Sequence, residues 1–272
     1  MFKGFVVVDI ETTAIKHANA EICEIAAGSY KDDEWHIVSE LRGTRNPIPP
    51  EASKICHIST RMLEGLPLFG SDIEREFTIL GIPWGQYYVA HNAKFDRELL
   101  VQELYKAISV NETTKLTKDS YVLDFGEPEN WICTVELSKR LLGNEISQFS
   151  LNYLRYYLDL DVPDEMYGHR AGNDVLITAK LFEHLVMLML ERELLDITNS
   201  YGIGWQIVQY CSTFIPYGTF PFGKYKGQRF EDIPKDYYEW ALENMDALKE
   251  DSDRYDERLA KTLEPVLTEI FK

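Results

Sequence analysis

The stretch Phe5-Val6-Val7-Val8-Asp9-Ile10-Glu11-Thr12-Thr13 decides how the rest of the chain is read. Its β-branched run, Val6 to Val8, has the character of a strand buried on both faces, and it passes abruptly into two carboxylates separated by one residue. Side chains alternate along a strand, so Asp9 and Glu11 point to the same side. Like charges held that close at the end of an apolar strand repel each other unless a cation or a proton lies between them. Ligands that are all oxygen favour a hard divalent ion such as Mg²⁺ or Mn²⁺. Asp-x-Glu is also common as solvated surface, so the metal assignment depends on the remainder of the chain.

The 272 residues are 45% hydrophobic and 27% charged, which fits one large globular domain or one ordinary domain with a small appendage. No run approaches the roughly 18 apolar residues of a membrane span, and the N-terminus lacks a basic-then-apolar export signal. A soluble, cytoplasmic protein without membrane contact is expected. Cys23, Cys56, Cys133 and Cys211 have no Cys-x-x-Cys spacing, which argues against a zinc site and a disulfide scaffold. The net charge of -17 weighs against a protein that coats nucleic acid, because phosphates are normally met by an excess of Lys and Arg. A metal cluster with a local basic patch can still hold one strand end.

Past Glu11, Ile22 to Tyr30 and Trp35 to Leu41 read as antiparallel strands joined by the polar turn Lys31-Asp32-Asp33-Glu34. Asn46 to Pro50 is a surface crossing, and short helices are expected over Glu51 to Ile55, Ser59 to Leu63 and Ile73 to Leu80. Gln86 to Ala90 is a fourth strand. It leads into a helix with Phe95, Leu99, Leu100 and Leu104 on one face, Asn92 as N-cap and Asp96 one turn in. Lys106 to Asn130 shows no clear period and is expected to be an inserted loop, with room for a short hairpin. Trp131 to Val135 returns to strand character, followed by helices over Glu136 to Leu142 and Ser150 to Leu158. A long helix then runs from Ala171 to about Leu195, with Asp174 fixed near its start and His169 just before it in a Gly-flanked turn.

Asp9-Ile10-Glu11-Thr12-Thr13, then His91-Asn92-Ala93-Lys94-Phe95-Asp96 after a strand, then His169-Arg170-Ala171-Gly172-Asn173-Asp174 opening a helix resemble the three exonuclease motifs of the DEDD superfamily. The His five residues before the last Asp points to the DEDDh, or DnaQ-like, branch of 3′-to-5′ exonucleases. Tyr88 to Ala93, Trp131 to Thr134 and the tail Phe222 to Gly227 are similar to its bacterial exodeoxyribonucleases, so the likeness extends over most of the chain. Ala14 and Ile15 stand where many relatives have Gly-Leu.

The resemblance implies a ribonuclease H-like fold, α/β with a mixed five-stranded sheet flanked by helices. It also implies a site in which Asp9, Glu11 and Asp174 hold one Mg²⁺, while Asp9, with Asp96 directly or through water, holds a second. Mn²⁺ is an expected substitute, and His169 would act as general base near neutral pH. The implied substrate is DNA, single-stranded or with a 3′ end, cut for repair or end processing to release 5′-mononucleotides. Thr12, Thr13 and Ile15 would lie under the last nucleotide and offer backbone N–H groups to its 3′ hydroxyl, with His91, Asn92 and Phe95 as further contacts.

Residues 1–200 are expected to form the exonuclease domain and 201–272 a small α+β accessory module, divided near Tyr201 to Gly204. In the module, Pro221 to Lys226 and Arg229 to Ile233 read as a hairpin, followed by helices over Asp236 to Asn244 and Leu259 to Phe271. Lys224, Lys226 and Arg229 belong to the tightest basic cluster in the chain and are candidate nucleic-acid contacts. Two alternatives within the superfamily stay open at this point, an exoribonuclease and a polymerase proofreading subunit. A third, of another class, is a non-catalytic DNA-end-binding protein.

Overall fold

The computed structural model describes residues 1–14, 20–82, 84–109, 115–143, 145–163, 169–214, 216–249, 252 and 255–271, with 115–118 in backbone only. The strands are β1 (Phe5–Thr12), β2 (Ile22–Lys31), β3 (Glu34–Leu41), β4 (Tyr87–Ala90) and β5 (Trp131–Cys133). They form one sheet in the order β3-β2-β1-β4-β5. β2 runs antiparallel to both β1 and β3, while β1, β4 and β5 are parallel. The β2–β3 turn holds Asp32 and Asp33 at φ 51° and 63°, the left-handed pair that a two-residue hairpin requires.

Among the described residues eleven α-helices accompany or follow this sheet. α1 (Pro50–Cys56), α2 (Thr60–Leu63) and α3 (Ile73–Leu80) precede β4, and α4 (Ala93–Ser109) and α5 (Lys115–Gly126) lie between β4 and β5. After β5 come α6 (Thr134–Leu142), α7 (Leu151–Tyr157), α8 (Ala171–Glu191) and α9 (Gly202–Ser212), then α10 (Lys235–Asn244) and α11 (Glu257–Ile270).

Alternation along β1 sends its side chains into two separate cores. Val6, Val8 and Ile10 pack with Leu80 of α3, Leu99 and Leu100 of α4 and Phe125 of α5. Val7 packs on the other face with Leu137 of α6, Leu154 of α7 and Val175 and Ala179 of α8. The sheet is therefore a middle layer covered on both sides, which is why β1 reads as continuous Val and Ile. Two glycines let α8 approach it closely. A Cβ at Gly28 would stand 2.9 Å from Val175 Cγ1, and one at Gly172 would stand 3.0 Å from Ser39 Cβ.

Several expectations are corrected. The described residues of Lys106 to Asn130 are helical rather than loop or hairpin: α4 continues to Ser109, α5 spans Lys115–Gly126, and a short 3-10 turn over Pro128–Asn130 leads into β5. Val122 and Phe125 anchor α5 at 0% and 1% exposure, and the Phe125 ring meets those of Tyr88 and Trp131 at 4.6 and 5.2 Å. Tyr121 and Leu123, on either side of Val122, are exposed, which blurs the helical period in the sequence. α8 stops at Glu191, short of Leu195. Asn92 has φ 75°, left-handed rather than the extended backbone of an ordinary N-cap.

The chain divides between Cys211 and Ser212 rather than near residue 201. The expected boundary falls at the start of α9, whose Ile207 is buried in the α8-side core. The second unit, Ser212–Lys272, packs Phe220, Phe230, Ile233, Tyr238, Leu259 and Leu263 around α10 and α11. No strand occurs among its described residues, so it is helical rather than α+β. In place of the hairpin, Phe220 and Gln228 close a loop through one pair of backbone bonds, Phe220 N–H to Gln228 O and Gly227 N–H to Phe220 O, both 2.8 Å. Gly223 and Gly227, at φ 70° and 81°, curl the chain between them out of strand geometry. Among the described residues no helix is long and apolar enough to cross a membrane.

Candidate active site

The site forms where β1 outruns its parallel neighbour. β1 pairs with β4 only as far as Val7 opposite Val89, so the later residues of β1 have a free edge on that side. Asp96, in the first turn of α4 and only 4% exposed, fills this edge, its carboxylate accepting the backbone N–H of Ile10 as well as its own. Asp9 and Glu11 project from β1 beside it. Asp174 arrives in the first turn of α8, and carboxylate oxygens of Asp9, Glu11 and Asp174 lie within 4.8 Å of one another.

Burial and mutual repulsion raise the proton affinity of the whole group. Burial is the main cause for Asp9, followed by the charges of Asp96, Asp174, Glu11 and Glu24. Glu11 is pushed up to about 8 by burial and then by Asp174 and Glu24, with Arg170 opposing. Asp96 is also pushed up to about 8 by burial, against the two backbone N–H groups it accepts. Asp174 is raised by burial, and the His169 N–H, 2.9 Å from its Oδ2, works the other way. A divalent cation among Asp9, Glu11 and Asp174 would relieve their mutual repulsion, and a set of carboxylate oxygens suits a hard ion.

The structure thus brings three of the acids expected from the sequence, Asp9, Glu11 and Asp174, within 4.8 Å of one another, with Asp96 near enough for its charge to act on Asp9 and Glu11. His169 lies at the exposed rim beside them, with φ 67°. The expected substrate contacts are differently placed. The Thr13 N–H donates to Glu21 O at 3.0 Å, so it is not free for a 3′ hydroxyl, and the Thr12 hydroxyl donates to Ala14 O at 2.9 Å. Both ring nitrogens of His91 are engaged, Nδ1 at 2.9 Å from Thr134 Oγ1 and Nε2 at 2.9 Å from Phe149 O. Burial lowers its pKa to about 4, so the ring is a neutral tie between chain segments rather than a free ligand for substrate. Asn92 is exposed, Phe95 is half-buried against the α4-side core, and Ile15 falls outside the described residues. In the second unit Lys224, Lys226 and Arg229 are exposed, with Arg229 Nε 3.3 Å from Glu231.

Glu24 escaped the sequence reading. It stands directly opposite Glu11 in the β1–β2 pairing and is 2% exposed. Its oxygens accept Arg170 Nε at 3.0 Å, Arg170 NH2 at 2.9 Å, Ala171 N–H at 3.1 Å and Ser39 Oγ at 2.8 Å. These bonds hold its carboxyl below the usual range despite burial. The available signal was a lone charge inside the apolar run Ile22-Cys23-Glu24-Ile25-Ala26-Ala27.

A mixed sheet between helical layers, with clustered acids at the end of its first strand, is an arrangement suited to metal-assisted phosphodiester hydrolysis, the chemistry of nucleases. The chain belongs to the exonuclease family, whose model matches residues 6–182, and within it to the DEDDh branch. Exodeoxyribonuclease 10 of Escherichia coli strain K12 is 29% identical over 251 residues, covering 89% of this chain and 92% of that protein. A DNA polymerase III of PolC type from Caldanaerobacter subterraneus subsp. tengcongensis is 30% identical over 181 residues, 65% of this chain but 11% of that one. Among solved structures, exonuclease X in complex with 5′ overhanging duplex DNA superposes with a TM-score of 0.51 at 27% identity, covering 76% of this chain and 99% of the other.

Proposed function

We propose that the protein is a metal-dependent 3′-to-5′ exodeoxyribonuclease that releases 5′-mononucleotides from DNA 3′ ends, in repair or end processing. The observation that carries this is the convergence of Asp9, Glu11 and Asp174, oxygens within 4.8 Å, in a chain matching the exonuclease family. In this reading Asp9, Glu11 and Asp174 hold one Mg²⁺, and Asp9 and Asp96 hold a second. Bound ions supply charge neutralisation at the phosphate and activation of the attacking water. His169 accepts the proton of that water from the rim. Thr12, Asn92 and Phe95 are the contacts proposed for the terminal nucleotide. Lys224, Lys226 and Arg229 hold backbone phosphates.

DNA as substrate is supported by the Escherichia coli relative's name and by the duplex DNA in the exonuclease X structure. The likeness to the exodeoxyribonuclease covers 89% of this chain against 65% for the polymerase, which favours the exodeoxyribonuclease reading over a proofreading subunit. The test is digestion of matched DNA and RNA oligomers, labelled at the 3′ or the 5′ end, with Mg²⁺, Mn²⁺ or chelator. A 3′ label should appear at once as mononucleotide, while a 5′ label should descend as a ladder. Release of 5′ label first would overturn the polarity, faster RNA digestion the sugar preference, and hydrolysis in chelator the metal dependence. DNA binding without hydrolysis would favour the end-binding alternative.

A further inference from the structure

Glu24 has no part in the reaction as described, yet the fold keeps it ionised in a place that costs free energy. Like charges directly opposite across two strands repel, and Glu24 faces Glu11 inside the sheet. Its four donors belong to two groups. Ser39 comes from β3, and the other three come from the two residues that join His169 to α8: both Arg170 nitrogens and the Ala171 N–H. The latter is one of the helix-start N–H groups that have no partner inside a helix.

The junction needs such a hold. His169 has a left-handed backbone, φ 67°, which a non-glycine residue adopts at a cost and keeps only when its surroundings impose it. The His169 N–H donates to Asp174, and the Ala171 N–H donates to Glu24, so two backbone N–H groups two residues apart are pinned by two carboxylates. Gly172, with no Cβ to strike Ser39, lets the helix start sit against β3 where Glu24 can reach it. Arg170 is engaged side-on by Glu24 through Nε and one terminal nitrogen, a geometry that fixes its orientation as well as its charge.

We propose that Glu24 and Arg170 are positioning residues: from β2, Glu24 clamps the 169–171 junction so that the His169 imidazole and the Asp174 carboxylate keep their place relative to Asp9 and Glu11. This rests on the exonuclease roles given to His169 and Asp174 above. Displacing a reacting group by about 1 Å can lower a rate by about 100-fold, which sets the scale of the effect.

The test is a double-mutant cycle in the full chain with Glu24→Gln, Arg170→Met and the pair together, plus Ser39→Ala as a mild variant that leaves the ion pair intact. Expected are kcat losses of about 10- to 100-fold in each single variant, with KM for a DNA oligomer little changed, and a double variant no worse than the poorer single. Ser39→Ala should lose less. A purely electrostatic role would instead move the Mg²⁺ half-saturation in opposite directions in the two singles and restore the double to parent behaviour, which would overturn the proposal. Amide hydrogen exchange over residues 169–175 provides a readout independent of activity and should rise in all three clamp variants. Unchanged exchange would also overturn the proposal. If the parent hydrolysed nothing with Mg²⁺ or Mn²⁺, the exonuclease reading would fail, and the exchange measurement would still report on the clamp.

Discussion

Replacing Glu11 by Gln should make the metal-free protein more stable while removing its metal-dependent activity. The Glu11 carboxyl rises from 4.5 to about 8 on folding. Between those values the folded state holds a proton that the unfolded state has lost, so stability falls as pH climbs through the window. At about 1.4 kcal/mol per unit, the full shift corresponds to roughly 4 kcal/mol at pH 8. Because Glu11 is partly exposed, solvent screening reduces this to about 1–2 kcal/mol. Gln has nearly the same shape and cannot ionise, so Glu11→Gln should melt about 2–8 °C above the parent in chelator at pH 8, with the gap closing toward pH 4. Saturating Mg²⁺ should reverse the order, since binding stabilises only the form that retains its ligands. The measurement is thermal unfolding from pH 4 to 8, with chelator and with Mg²⁺. A variant that melts at or below the parent at pH 8 in chelator would refute the idea that this carboxylate is held against its preference.

Asp96→Asn should keep the fold, because an amide oxygen can still accept the Ile10 N–H, but should lower Mg²⁺-dependent hydrolysis at least about 100-fold; circular dichroism and steady-state rates check the two halves. Mg²⁺ half-saturation should tighten from pH 6 to pH 8, because Glu11 and Asp96, both near 8, must lose protons to bind. Calorimetry in buffers of different ionisation enthalpy should register proton release on metal binding, and none would count against the cluster as the site. Phe125→Ala should cost about 3–5 kcal/mol in urea unfolding, because that ring closes the α5 contact with Tyr88 and Trp131.

The centre of the molecule was legible in the sequence because two periods intersect there. The alternation of β1 puts Asp9 and Glu11 on one side, and each of α4 and α8 places one acid in its first turn. What was hidden depended on partners distant in the chain. Glu24 looks like any strand residue until Arg170, 146 positions later, is brought against it. His91 looked available because nothing in its neighbourhood announces Thr134 and Phe149 as its partners. α5 was obscured by its own exposed Tyr121 and Leu123, and the loop of the second unit by glycines whose left-handed backbone replaces an expected turn.

The acids reach β1 from opposite helical layers: Asp96 from α4, whose leucines cover one face, and Asp174 from α8, which covers the other. The two proposed ions, joined through Asp9 on the strand, would act as a rivet through all three layers of the sandwich. Loading and unloading the metal would then change how freely the two outer layers breathe against the middle one, so the cofactor would govern the protein's mechanics as well as its chemistry.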